Sequence, residues 1–513
     1  MKILVYSHVP MWEQHHAESI EICLKHLNCG DEVFMLACDM SLSHCPANFL
    51  KNKNFCNRCL KQTERTKITI LENKIKHLYL ELGNDDNNVA VNSVEEFSNF
   101  KFDNVPFGEF VLSTLIGDYL QTSYYNFDDI IKANGLEMMN SSINLYKRVQ
   151  KIITENNIDR VYTWNGRRAS DAPVNYAAKK MKIQFFSHIS GGTRDKFQIE
   201  SAISVLDVDL YKKVSNGFYE EHKKNGTLKE FEKEGLNHFN FLRYGNLEGY
   251  SYGLQQFSKN FDKKNIFEKK NNKKNISIFP GSNWEYLAFA NGLDKIDGKS
   301  FSQYNMLEKV LSNNYIKDNF NLYVRWHPYL QHAGSKEKKH IYEIKDKYNH
   351  VNFFMPESNA NSYNLLDFSD VVITFGSTMG VEATIYGKPS ILLGRTFWED
   401  SGAAYIAKST NDLIILLKEE KLKPKPFINA IKEGYYQRHR SRESFEYVTS
   451  DPKKVKYFLK NKRIKNLTIY DKVKEATNYD KVKNEATNFI SKPVVNSNSR
   501  LSKFYGYLRN YIF

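Results

Sequence analysis

Gly376-Ser377-Thr378 follows an apolar run from Val371 to Phe375 and leads directly into Met379-Gly380-Val381-Glu382. A strand ending in glycine and two hydroxyl residues, with a helix starting at once, offers N–H groups and hydroxyls to an anion. This suits a nucleotide phosphate, and Glu382, early in the helix, is placed to accept hydrogen bonds from ribose hydroxyls. The loop is neither a P-loop nor G-x-G-x-x-G, which argues against triphosphate hydrolysis and ordinary dinucleotide binding. The plainer alternative is a tight turn with a solvated acid at the helix start. Upstream, Val324-Arg325-Trp326-His327-Pro328 ends another apolar run. Pro328 stops that strand and leaves Arg325 and His327 near the same edge, where they suit the charge on a departing phosphate.

All six cysteines lie between Cys23 and Cys59, so any special thiol chemistry is local. Cys38, Cys45, Cys56 and Cys59 read C-x6-C-x10-C-x2-C in a loop-like stretch. Four thiolates with one chelating C-x2-C half point to tetrahedral structural zinc. An iron-sulfur cluster, a redox pair and plain buried thiols are the other readings. Cys23 and Cys29 belong to the preceding helix and its end and read as core.

Positioning these groups requires alternating strands and helices. Ile3 to Tyr6, a helical stretch from Ala17 to Leu27, and Val33 to Ala37 form one βαβ unit. Arg160 to Trp164, Ala172 to Lys180, and Ile183 to Ser187 form a second. Polar, Lys/Asn-rich sequence over 258–274 reads as a linker. Beyond it strands are expected at 276–279, 322–325, 351–354, 371–375 and 390–393, with helices over 304–311 and 381–386. The fold class is therefore α/β, two Rossmann-like domains facing a cleft, with ligands beyond the carboxyl ends of the strands. The expected division is 1–257 with a Cys-rich insertion at 38–59, the linker 258–274, a second domain 275–450, and a basic tail 451–513.

The length of 513 residues allows large cores, and 41% hydrophobic with 14% aromatic residues excludes a mainly disordered chain. The net charge is +14, but 451–513 carries fifteen Lys/Arg against five Asp/Glu, so the body is close to balanced. That argues against a nucleic-acid footprint on the body. The tail holds a near-repeat, YDKVKEATN then YDKVKNEATN, and ends in a basic aromatic stretch, 501–513, whose helical face suits a membrane surface or a packing partner. No export signal or spanning helix is read, so the expected location is cytoplasmic, peripheral at the inner membrane face where the tail serves as a membrane-surface segment.

VRWHP followed by SDVVITFGSTMGVEATIYGKP resembles the donor domain of bacterial capsule and surface-polysaccharide glycosyltransferases of the GT-B fold, the group with Kdo- and sialyltransferase-like enzymes. DRVYTWNGRRASDAPVNYAAKKMKIQFFSHISGG and IFPGSNWEYLAF resemble further segments of such proteins, the latter through Gly281, Ser282, Asn283 and Glu285. The resemblance implies an inverting transfer from a nucleotide-activated sugar, with a CMP-linked donor slightly favoured, onto a glycan or lipid-linked glycan of capsule or lipopolysaccharide, without a catalytic metal. It implies donor contacts from Ser282, Arg325, His327, Gly376, Ser377, Thr378 and Glu382, and acceptor-side roles for Asn165 and Arg167. An acidic residue expected near the end of the second strand is replaced by His188-Ile189-Ser190, which leaves the general base among His188, Asp171, Glu13 and His16. Asp207-Val208-Asp209 imitates the acidic pair of the GT-A fold but reads as a surface or capping pair. A teichoic-acid-type polyol-phosphate transferase and a non-catalytic subunit of a polysaccharide assembly complex are the alternatives.

Overall fold

The computed structural model describes residues 1–48, 51–83, 85, 87, 89–91, 93–119, 129–244, 271–282, 287–288, 293, 295–451 and 455–465. Asn283, Glu285, the expected linker up to position 270, and the tail beyond 465 with its near-repeat and the 501–513 segment lie outside these residues.

Two parallel sheets organise the chain. The first contains β1 (Lys2–Tyr6), β2 (Glu32–Ala37), β3 (Lys76–Tyr79), β4 (Arg160–Trp164), β5 (Gln184–Ser190) and β6 (Lys196–Glu200). Its order is β3-β2-β1-β4-β5-β6, parallel up to β5, with β6 antiparallel to β5. Ile3, Leu4, Val5 and Tyr6 are all fully enclosed, as the continuous apolar run of a strand covered on both faces requires. Covering helices include α1 (Glu13–Asn28), α2 (Lys53–Arg65), α3 (Val94–Asn99), α4 (Phe107–Tyr119), α5 (Asp129–Asn156) and α6 (Ala172–Lys180). α1 buries Ala17, Ile20 and Cys23 against the sheet and carries Lys25 and His26 in its last turn, where cations complement the helix dipole.

The second sheet runs β11-β10-β7-β12-β13-β14, all parallel: β7 (Lys274–Phe279), β10 (Phe320–Arg325), β11 (Val351–Phe354), β12 (Val371–Thr374), β13 (Ser390–Leu392) and β14 (Tyr405–Ile406). β8 (Lys295–Ile296) and β9 (Lys299–Ser300) form a separate hairpin. In each sheet the first strand sits centrally and the order reverses beside it, the doubly wound arrangement whose crevice lies at the β1/β4 and β7/β12 junctions. The α/β class with two Rossmann-like domains is thus observed.

Two segments depart from the expected division. α7 (Val208–Lys224) and α8 (Leu228–Tyr244) pack against the helix Phe427–His439, sharing a core of Tyr211, Phe231, Phe239, Ile431 and Tyr435. A Cβ on Gly434 would meet the Gly235 carbonyl oxygen at 2.2 Å, so glycine is what lets these helices cross so closely. Asp207 caps α7, its Oδ1 accepting the Leu210 N–H at 2.8 Å, the capping role expected for that acidic pair. Residues 443–465 then return to the first sheet. β15 (Glu443–Ser444) pairs antiparallel with β6, and β16 (Val448–Ser450), β17 (Tyr457–Leu459) and β18 (Lys462–Arg463) pack on α1. Glu21 of α1 fastens this strap by accepting the backbone N–H groups of Glu446, Tyr447 and Val448.

Candidate functional site

At the β1/β4 junction, strand ends from three neighbouring strands meet α1. Trp164 ends β4 and Ser190 ends β5, while Trp12 and His15 belong to the turn and helix after β1. The His15 ring lies 4.5 Å from that of Trp164 and 5.8 Å from that of Trp12, and the two indoles meet edge-on at 5.1 Å. His15 Nδ1 stands 3.3 Å from Ser190 Oγ and 3.5 Å from Glu18 Oε1. The other Glu18 oxygen is 2.9 Å from His188 Nδ1, with both of those side chains fully enclosed. Burial raises the Glu18 carboxyl, but contacts with His15 and His188 outweigh it and hold the group down to about 2.

The structure distributes the four sequence-proposed bases differently. His188 is sealed in the interior on Glu18. His16 is buried, with Nδ1 2.9 Å from Ser7 Oγ and Nε2 2.7 Å from Thr66 Oγ1, so both ring nitrogens are occupied. Burial pushes it down to about 3. Glu13 serves the returning strap: it accepts the Tyr457 N–H and pairs with the Arg463 guanidinium at 2.8 Å. Asp171 is fully buried at the start of α6; its Oδ1 accepts the Arg168 N–H, and burial pushes the carboxyl up to about 7. None of these four carboxylates and imidazoles reaches the surface.

The acceptor-side pair also turns inward. Asn165 sits at φ +60° with its N–H on the His188 carbonyl at 2.8 Å. Arg167, 1% exposed, directs its guanidinium to Ser113 of α4, with Nη1 2.7 Å from Ser113 Oγ. Between them Gly166, at φ +77°, has no room for a side chain, because a Cβ would lie 1.7 Å from the Ile203 carbonyl. This geometry gives Arg167 the work of anchoring the loop after β4 to α4.

At the β7/β12 junction, β7 ends before Gly281-Ser282 and β10 ends before His327. The structure brings Ser282 and His327 together: Ser282 Oγ is 3.3 Å from His327 Nδ1, which also accepts the Tyr329 N–H at 3.2 Å. With Nδ1 accepting, the neutral ring carries its proton on Nε2. Burial, then the nearby Arg325 charge, push His327 down to about 4, which keeps that neutral donor form at pH 7. Arg325 itself is 4% exposed and bonds the carbonyls of Met355 and Ser358, so it fixes the loop after β11.

The loop after β12 delivers Gly376 at φ +122° with its N–H on Thr374 Oγ1, and Ser377 Oγ accepts the Met379 N–H at 3.4 Å. Thr378 is exposed and donates to Glu382 Oε1 at 3.2 Å. Glu382 is 3% exposed, and its second oxygen accepts the Tyr363 hydroxyl at 2.6 Å. These two hydroxyls hold the carboxylate oxygens that the sequence reading assigned to ribose, and burial raises the group.

All four cysteines of the expected metal site are free thiols. Their sulfurs lie within electrostatic reach of one another, and each meets N–H donors: Met40 and Leu42 for Cys38, Ala47 and Asn48 for Cys45, Asn48 Nδ2 at 3.1 Å for Cys56, and Met11 for Cys59. Among the described residues no three Cys, His, Asp or Glu side chains are gathered closely enough to hold an ion. Burial pushes Cys38 up to about 11 and Cys45 up to about 12.

His15 and Glu18 were legible only in part. Two adjacent histidines follow β1, and helical phase decides between them: His16 is buried between Ser7 and Thr66, whereas His15 shares its face with Glu18 three residues on. That i,i+3 spacing was the available signal.

The fold defines a doubly wound two-sheet protein with polar groups at both switch points. Residues 295–411, which include the His327 and Gly376 elements, match the family model described as capsule polysaccharide biosynthesis protein. The resemblance read from VRWHP and the Gly-Ser-Thr loop is borne out over that stretch. No curated protein matches the chain by sequence. Among solved structures, Thermosulfurimonas dismutans KpsC, a beta Kdo 2,4 transferase, is similar at 13% identity and TM-score 0.34, covering 62% of this chain and 87% of that one. Acinetobacter baumannii MurG is similar at 11% identity and TM-score 0.28, covering 86% and 96%. These two likenesses are too distant in shape to bear on fold or activity. Among the described residues no helix is long and apolar enough to cross a membrane.

Proposed function

We propose that the chain is a glycosyltransferase that moves a sugar from a nucleotide-activated donor onto a capsule or related surface-glycan acceptor, with inversion at the anomeric carbon. The carrying observation is the Ser282–His327 pair at the second switch point, where an imidazole held neutral with Nε2–H can donate to a phosphate oxygen. Ser377 and Thr378, on the adjoining loop of the same junction, support the same reading by adding hydroxyls. The family match over 295–411 supports capsule biosynthesis as the setting.

The test is a thermal-shift titration of the full chain with CMP, CDP, UDP and GDP, alongside His327→Ala and Glu382→Gln. A nucleotide at about a hundredfold over its dissociation constant stabilises the folded state by about 2.7 kcal/mol. The expected result is a shift with one nucleotide class that His327→Ala abolishes without lowering the unliganded Tm. Loss with Glu382→Gln as well assigns the ribose to that carboxylate, and retention leaves it a bracket for Tyr363 and Thr378. No shift with any of the four removes the donor site.

A further inference from the structure

We propose that His15 is the general base of the transfer, oriented by Glu18 and, behind it, His188; this rests on the glycosyltransferase reading. Any inverting displacement by an acceptor hydroxyl needs a group to take its proton. The sequence-proposed bases are enclosed or already engaged, whereas His15 combines partial exposure, 26%, with a position on the β1/β4 switch point. Nδ1 faces two oxygens, Ser190 Oγ and Glu18 Oε1, and so carries the proton, which leaves the lone pair on Nε2. The ring packs against Trp164 and Trp12, which also touch each other, so the three rings form one cluster that fixes the imidazole's position. A buried carboxylate beside the ring's protonated nitrogen fixes the tautomer and stabilises the imidazolium once it forms, the role an acid plays behind any catalytic histidine. The contact with Glu18 at 3.5 Å is an ion-pair separation, and such contacts tighten when substrate binds. His188 holds the far side of Glu18 at 2.9 Å, so the carboxylate does not turn away.

In the step, His15 Nε2 takes the hydroxyl proton of the acceptor as the acceptor oxygen forms its bond to the anomeric carbon. The bond from that carbon to the donor phosphate oxygen breaks, and its electron pair leaves with the nucleotide. The proton passes from the imidazolium to solvent after product release.

The experiment measures nucleotide release by the full chain from CMP-, UDP- and GDP-linked sugars, with water or oligosaccharide as acceptor, for wild type, His15→Ala, His15→Gln and Glu18→Gln. His15→Ala is expected to lower kcat about 100-fold or more, the scale of a lost general base. Nucleotide affinity is expected to stay within about twofold, since a base that acts on the acceptor hydroxyl contributes to the transition state and not to nucleotide binding. Added imidazole is expected to restore part of the lost rate to His15→Ala, and Glu18→Gln to give a smaller loss in kcat at unchanged KM. Release by His15→Ala and His15→Gln within about threefold of wild type overturns the inference and leaves the glycosyltransferase reading intact. A loss that imidazole does not rescue, accompanied by a lowered Tm in both variants, assigns His15 a structural role and also overturns it. Nucleotide binding without release from any donor removes the transferase reading, and the inference with it.

Discussion

Glu18 Oε2 stands 2.9 Å from His188 Nδ1 with both side chains completely enclosed, tying α1 to β5 through the interior of the first domain. An ionised carboxylate in such a place is stable only because its partners offset the loss of water. Glu18→Gln is therefore expected to destabilise the protein by about 3 kcal/mol at neutral pH, the scale of breaking a buried charged contact. The pH dependence has a definite sign. Glu18 lies at about 2 in the folded protein against an ordinary value of 4.5, so its contribution is complete above pH 4.5 and is lost as pH falls toward 2. Urea unfolding of wild type and Glu18→Gln at pH 7, 4 and 3 should show two curves converging on acidification. Parallel curves would contradict the assignment.

Asp171 has the opposite sign. Burial raises its carboxyl from 3.8 to about 7, so the folded state holds a proton that the unfolded chain has already released at neutral pH. Stability from this group is therefore present below about pH 4 and is lost as pH rises through 7. Asparagine keeps the oxygen that accepts the Arg168 N–H and removes the charge. Asp171→Asn is expected to gain on the order of 2 kcal/mol at pH 8 and nothing at pH 4. Thermal melts at the two pH values check this, and an equal effect at both would sink it.

The loop after β4 gives a steric prediction. Gly166→Ala places a Cβ 1.7 Å from a backbone oxygen at a positive φ, so the loop must move. Gly30 has almost the same φ, +79°, with open space around it. Gly30→Ala is expected to cost about 1 kcal/mol, the conformational term alone. Gly166→Ala is expected to exceed about 4 kcal/mol or prevent soluble expression, as strain plus displaced backbone. Similar losses in the two variants would mean the Ile203 carbonyl yields easily.

Local patterns made both sheets legible. The runs 3–6, 160–164, 371–374 and 390–392 are strands because a sheet covered on both faces needs continuous apolar sequence, a signal contained in each segment. α5 gave no such signal, since its polar residues Asn134, Glu137, Asn140 and Asn144 dilute the apolar stripe over 28 residues. The return of 443–465 to the first sheet was illegible for a different reason. β15 pairs with β6 across some 245 residues, and nothing in Glu443-Ser444 announces a partner so distant. At the sites, glycine and hydroxyl types marked the β12 loop, whereas the direction in which Glu13, Arg167 and Arg325 point depends on neighbours supplied by other elements.

The cysteine quartet separates two states of the loop 38–59. In the first, burial outweighs the N–H donors and holds Cys38 and Cys45 as neutral thiols, with no three ligands among the described residues close enough to share an ion. In the second, Cys38, Cys45, Cys56 and Cys59 would have to draw together on zinc, which predicts about one zinc per chain in protein purified without chelator, with these four thiols shielded from a thiol reagent until a strong chelator is added. Exposed Cys29 should react at once in either case, and fully buried Cys23 only on unfolding. Cys56→Ser and Cys59→Ser remove the chelating half on α2 and should release the metal together with a fall in Tm. Iron with inorganic sulfide in place of zinc would assign a cluster to the same ligands. Metal-free protein whose Cys56 and Cys59 react as freely as Cys29, and which takes up no zinc on addition, would leave the quartet as four packed thiols and end the zinc reading of the sequence.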